Sequence, residues 1–160
     1  MEEMSSSFLL EKWSLRIKRA QLAHRFAAKG YAHLHLWLGV PAIGLSALVA
    51  TSVFASLENQ LGAYGWIITG MLSVAATILV ALQTFLRFEE LSSKHQAADA
   101  RYGAIRQNIE QLQAFSNKEE GSLINECDRI RLELEDLMKE VPMVPERYWQ
   151  QARAVLDRGK

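Results

Sequence analysis

Charged residues vanish from two long stretches of the chain. None occurs in residues 30–57, and after a lone Glu58 none occurs in residues 59–86. The apolar run in the first gap, residues 36–57, is 22 long, and that in the second, residues 61–86, is 26 long. A membrane-crossing helix needs about 20 apolar residues at a rise of about 1.5 Å each. Both runs suffice, the second with some tilt. The pattern predicts one transmembrane helix over 34–57 and another over 61–87. Glu58, Asn59 and Gln60 link them, and Gly62 and Gly65 permit a sharp turn, so the helices are antiparallel neighbours. The alternative, two buried helices in a soluble protein, needs a larger apolar shell than the remaining residues supply. A secretory signal peptide is not expected, because the first run begins more than 30 residues in and a second span follows at once.

The flanks carry a different periodicity. Trp13, Ile17, Ala20, His24, Ala27 and Tyr31 recur at alternating steps of four and three, the seam of an amphipathic helix over 7–32. The serines at 5–7 offer its N-cap. After the second span, Phe88, Leu91, His95, Ala98, Tyr102, Ile105, Ile109 and Leu112 make a heptad seam on a helix expected to continue that span. Residues 116–121 interrupt the pattern. Ser116 and Glu119 suit a capping box, which places a new helix there, with an unbroken helix as the alternative. Leu123, Cys127, Ile130, Leu134, Leu137 and Val141 form its face; together these cytoplasmic helices occupy 88–141. Pro142 ends the pattern. Pro145 suits the first turn of a last helix over 145–158, with Tyr148, Ala152 and Val155 on one side. The fold class is therefore an all-α membrane protein. A two-helix transmembrane hairpin joins an N-terminal amphipathic helix to a C-terminal, coiled-coil-like bundle, formed within one chain or between copies.

Charge placement adds orientation. All 18 Lys and Arg residues lie outside the hairpin, with Lys18, Arg19, Arg25 and Lys29 before it and Arg87, Lys94 and Arg101 after it. The positive-inside rule then puts both termini in the cytoplasm of a multi-pass inner-membrane protein. Trp37, Tyr64 and Trp66 sit near span ends, at interfacial positions. Lys12, Arg16, Lys18, Arg19 and Arg25 lie mostly off the N-terminal seam, either touching anionic headgroups, at about 1 kcal/mol each, or simply solvated. No basic tract suggests a nucleic-acid partner. Cys127 is the one cysteine, read as a small apolar residue on a helix face.

The candidate chemistry is sparse. Gly65, Thr69, Ser73, Thr77 and Ala81 form an i, i+4 row in the second span. Ala42, Ser46 and Ala50 form one row in the first, and Ala47, Thr51 and Ala55 another. Such rows let helices approach closely and bond through hydroxyls. They serve either to pack the hairpin and its neighbours or to line a pore, which needs several copies. The absence of charge from both spans argues against a proton-coupled transporter or a voltage sensor. Gly39, Pro41 and Gly44 form a candidate hinge. His33 and His35, two apart, are a poor metal pair. His24, His95 and Tyr102 lie on the seams, where a buried polar residue fixes register or a histidine senses pH or contacts a ligand. No nucleophile elbow, phosphate loop or metal cluster is present, so no enzyme, cofactor or metal site is expected.

The strings LGVPAI at 38–43, LSALVATSVFASL at 45–57 and ALQTFL at 81–86, with His95, Ala98 and Tyr102, resemble the SLATT family. These are two-transmembrane effector domains associated with bacterial nucleotide-signalling conflict systems. The resemblance covers roughly residues 10–140. It implies an antiviral effector that oligomerises and forms a pore or disrupts the inner membrane once a partner enzyme, a nucleotide-messenger synthase or sensor, reports infection. None of the 160 residues reads as a sensor domain or a nucleotide-binding motif, so a separate partner or an oligomer-made pocket is expected to receive the signal. The family has no catalytic residues to carry over. The alternative function is a membrane anchor or scaffold that recruits a cytoplasmic partner without forming a pore.

Overall fold

A computed structural model describes residues 6–57, 63–114 and 120–158. Five helices follow in order: α1 Ser6–Leu57, α2 Ala63–Leu86, α3 Phe88–Ala114, α4 Glu120–Glu140 and α5 Glu146–Arg158. No strand occurs among the described residues. Ser5 of the N-cap candidates at 5–7, the hairpin tip at 58–62 and the expected capping box of Ser116 and Glu119 lie outside them.

Two expectations about element boundaries change. The amphipathic helix over 7–32 and the span over 34–57 are one helix of 52 residues. The reason is local: residues 32–35 between the two periodicities hold no proline or glycine, and Gly30 just before them lowers helix stability by about 1 kcal/mol without ending the helix. Pro41 also lies inside α1. Conversely, α3 does not continue α2. Arg87 between them has a φ of 46°, a left-handed backbone that breaks the hydrogen-bond ladder. Neither glycine nor proline marks this break.

The chain forms two compact units, residues 1–29 with 91–160 and residues 30–90. The first is a helical bundle. Leu10 and Ile17 of α1 meet Ala98, Tyr102, Ile105, Ile109 and Leu112 of α3 and Ile130 and Leu137 of α4 in one apolar core. Trp13, Ala20, Cys127, Leu134 and Val141 pack against it. The heptad seams thus close on one another within a single chain. On α5, Tyr148 and Ala152 are buried, but Val155 is 47% exposed and does not share their face. The helix begins at Glu146, one residue later than expected, and the Pro145 carbonyl just before it accepts from the Tyr148 N–H at 3.0 Å.

The second unit holds the hairpin, and its apolar residues face outward. Trp37, Ile43, Met71 and Phe85 are 70–83% exposed. Of the most apolar stretch of each helix, only 11% and 6% is buried within the chain. Apolar surface on that scale is stable in a lipid solvent and not in water.

Candidate functional site

The candidate residues of the spans gather on a groove between α1 and α2 of about 530 Å³. Ser46, Val49 and Ala50 line one wall, and Ser73, Ala76, Thr77, Val80 and Ala81 the other. The structure thus brings Ser73, Thr77 and Ala81 of the small-residue row together with Ser46 and Ala50. Gly65 and Thr69 belong to the same row but do not line the groove, and neither do Ala47 and Thr51. Two of the groove's hydroxyls are already bonded. Ser46 donates to the Ala42 carbonyl at 2.8 Å, and Thr77 to the Ser73 carbonyl at 2.8 Å. Thr51, Ser52 and Thr84 donate four residues back in the same way. These five hydroxyls are therefore satisfied within their own helices, which is what hydrocarbon surroundings require.

The hinge candidates separate. Gly39 is buried against the second span: a Cβ there would stand 3.1 Å from Nε2 of Gln83. Gly44 has open space around it, and Pro41 is exposed on α1. Gly39 therefore reads as a close-approach position, and only Pro41 and Gly44 keep the features of a hinge.

His24, His95 and Tyr102 do come together in the helical bundle. His24 Nδ1 lies 2.9 Å from His95 Nδ1, and both side chains are buried. The His24 ring centroid is 5.1 Å from that of His95 and 5.4 Å from that of Tyr102. A bond between two Nδ1 atoms fixes the proton count. One ring donates and the other accepts, so they hold opposite tautomers when neutral. A second extra proton would put hydrogens on both facing nitrogens and break the bond. Burial depresses the His24 pKa to about 4, with the neighbouring His95 adding to the shift and the Asp99 carboxylate opposing it. Burial also lowers His95. The same burial raises the Tyr102 phenol, against the pull of the Arg16 cation. At neutral pH both imidazoles are uncharged, and the cluster is a buried polar layer within an apolar seam.

Several partners of this layer carry no strong sequence signal. Arg25 forms a two-pronged pair with Asp99, Nε to Oδ2 at 2.9 Å and Nη2 to Oδ1 at 3.1 Å. Of the five basic residues considered for headgroups, Arg25 is thus committed to α3. The buried Ser92 hydroxyl donates to the Ala28 carbonyl at 3.0 Å. Gln21 is buried against Gly103, where a Cβ would stand 2.9 Å from its Nε2. Gly103 in a helix interior was the available hint, since glycine there normally marks a close approach. Cys127 is half-buried, and burial and the flanking carboxylates of Asp128 and Glu126 push its thiol up, away from the reactive thiolate. No group of three or more potential metal ligands occurs among the described residues.

These features define a class of protein: a small all-α membrane protein with two spans and a helical bundle built from the segments on either side of them. The family within that class is given by the sequence as a whole. The chain belongs to the SMODS and SLOG-associating 2TM effector domain family 4, SLATT_4, which matches residues 16–159. It is by that description a two-transmembrane effector domain associating with SMODS and SLOG. No curated protein and no solved structure matches it.

Proposed function

We propose that this chain is the membrane effector of a nucleotide-signalling antiviral system. Both termini lie in the cytoplasm, and several copies assemble so that their hairpins open a pore or disrupt the inner membrane. The observation that carries this reading is the groove lined by Ser46, Ser73 and Thr77 in a two-span effector domain. Two helices cannot enclose a channel, whereas several hairpins can turn such walls toward a common axis. Ser and Thr that bond their own helix in lipid can exchange that carbonyl for water when an assembly opens. The signal enters through the helical bundle, delivered by a messenger synthase or by a sensor protein.

A second reading is a membrane anchor that recruits a partner and never opens. It is favoured by the helix-internal bonds of the Ser46 and Thr77 hydroxyls, which satisfy both groups without water. Dye release from liposomes holding the full chain separates the two. The pore reading expects release when partner and cyclic oligonucleotides are supplied, and its loss in Ser73→Leu and Thr77→Leu. Sealed vesicles under every condition, with the partner still recruited, would establish the anchor.

A further inference from the structure

The two ends of the apolar runs that adjoin the helical segments meet in one place. His35 immediately precedes the first run, and Arg87 immediately follows the second. Together with Gln83, Phe88, Glu89 and Glu90 they line a pocket of about 470 Å³. That volume lies in the range of about 300–1,000 Å³ found for ligand pockets. Because the lining residues bracket the apolar runs, the pocket sits where hydrocarbon gives way to headgroups.

Its lining is divided by charge. Arg87 supplies a cation and Glu89 and Glu90 supply carboxylates; Phe88, stacked on Tyr31 with ring centroids 6.0 Å apart, is an apolar wall. Glu90 pairs with the Arg87 guanidinium and holds it in position. A guanidinium has five N–H donors in a fork that matches a phosphate. Arg87 stands in a left-handed backbone that glycine would adopt at less cost, so the side chain is present despite the conformation. Exposed apolar residues next in sequence to the lining, Leu36 and Phe85, offer a surface for acyl chains.

We propose that this pocket binds a phospholipid headgroup carrying both a phosphate and a primary ammonium, the phosphatidylethanolamine class. The phosphate sits on Arg87, and the ammonium donates to Glu89. A headgroup that is only anionic finds one cation against two carboxylates and is disfavoured. A choline headgroup has no N–H to donate to Glu89.

The test reconstitutes the full chain in vesicles of equimolar phosphatidylethanolamine, phosphatidylglycerol and phosphatidylcholine, then counts retained lipids by native mass spectrometry in mild detergent. The expected result is a preference for phosphatidylethanolamine of roughly tenfold, the value of one charge-assisted hydrogen bond. Glu89→Gln, at an exposed position, should erase the preference over phosphatidylcholine. Arg87→Gly, which keeps the backbone conformation, should lose all three lipids while circular dichroism shows the helices intact. If Arg87→Gly lost its helices, Glu89→Gln would decide alone. Glycerophosphoethanolamine, the headgroup without chains, should compete poorly; competition as strong as the lipid's would make a soluble phosphoethanolamine the ligand and overturn a lipid site. Equal retention of the three lipids, or an unchanged preference in Glu89→Gln, would also overturn it.

Discussion

At the scale of single residues, the histidine pair makes stability depend on pH, and the sign follows from its depressed pKa. His24 titrates near its ordinary 6.5 in the unfolded chain and at about 4 in the folded one. Between those values the unfolded chain binds more protons, so folding stability rises with pH through the window. The contribution is complete above about pH 6.5 and is lost as pH falls toward 4; at roughly 1.36 kcal/mol per pKa unit it amounts to about 3 kcal/mol. Thermal melts of the detergent-solubilised chain should therefore be flat above neutrality and fall below it. His24→Gln should flatten the acidic limb, and a limb of unchanged steepness would assign the effect to other groups. At Gly103 two effects oppose each other. An added methyl gains about 1 kcal/mol of helix propensity and spends it pressing on the end of the Gln21 side chain. Gly103→Ala should then be nearly neutral in chemical unfolding, whereas Gly103→Leu, which cannot fit by a small shift of Gln21, should lose about 1–3 kcal/mol.

At the scale of helices, the seams were legible because burial follows the 3.6-residue period. Of the eight positions that spacing puts on the α3 seam, His95, Ala98, Tyr102, Ile105, Ile109 and Leu112 are buried, while Phe88 and Leu91 are half-buried. Ile109→Ala should cost about 2–5 kcal/mol in denaturant unfolding, while Val155→Ala, at an exposed position, should change stability by less than about 0.5 kcal/mol. The break at Arg87 was not legible, because an αL residue is announced in sequence by glycine or asparagine, and here an arginine carries it. That conformation costs a non-glycine residue about 1–2 kcal/mol, more than an exposed ion pair to Glu90 returns. Arg87→Gly should therefore keep or raise stability, and Arg87→Val, with its branched Cβ, should lower it; melts of both variants would check the order. The fusion of the amphipathic segment with the first span was missed for the opposite reason. Its two periodicities differ in polarity, but nothing between them stops a helix. The layer of Gln21, Arg25, Ser92 and Asp99 stayed hidden because polar residues pairing across helices have no period of their own.

At the scale of the whole molecule, two charge-free runs identified the spans, and the flanking seams identified the bundle. The division into two units puts a boundary close to Lys29 and again close to Leu91. The Ser92 hydroxyl and the Ala28 carbonyl, one residue to the bundle side of each boundary, are 3.0 Å apart. Topologically, then, residues 30–90 are an insertion into a helical domain whose cut ends already touch. Antiparallel helices are commonly joined by about 2–5 residues, so Lys29 linked to Leu91 through a few glycines should close the domain at little entropic cost. Such a shortened chain should be water-soluble and helical, and it should keep the acid-sensitive melt of the histidine pair. The proposed messenger or sensor could then be sought by ordinary solution titration, with no bilayer present.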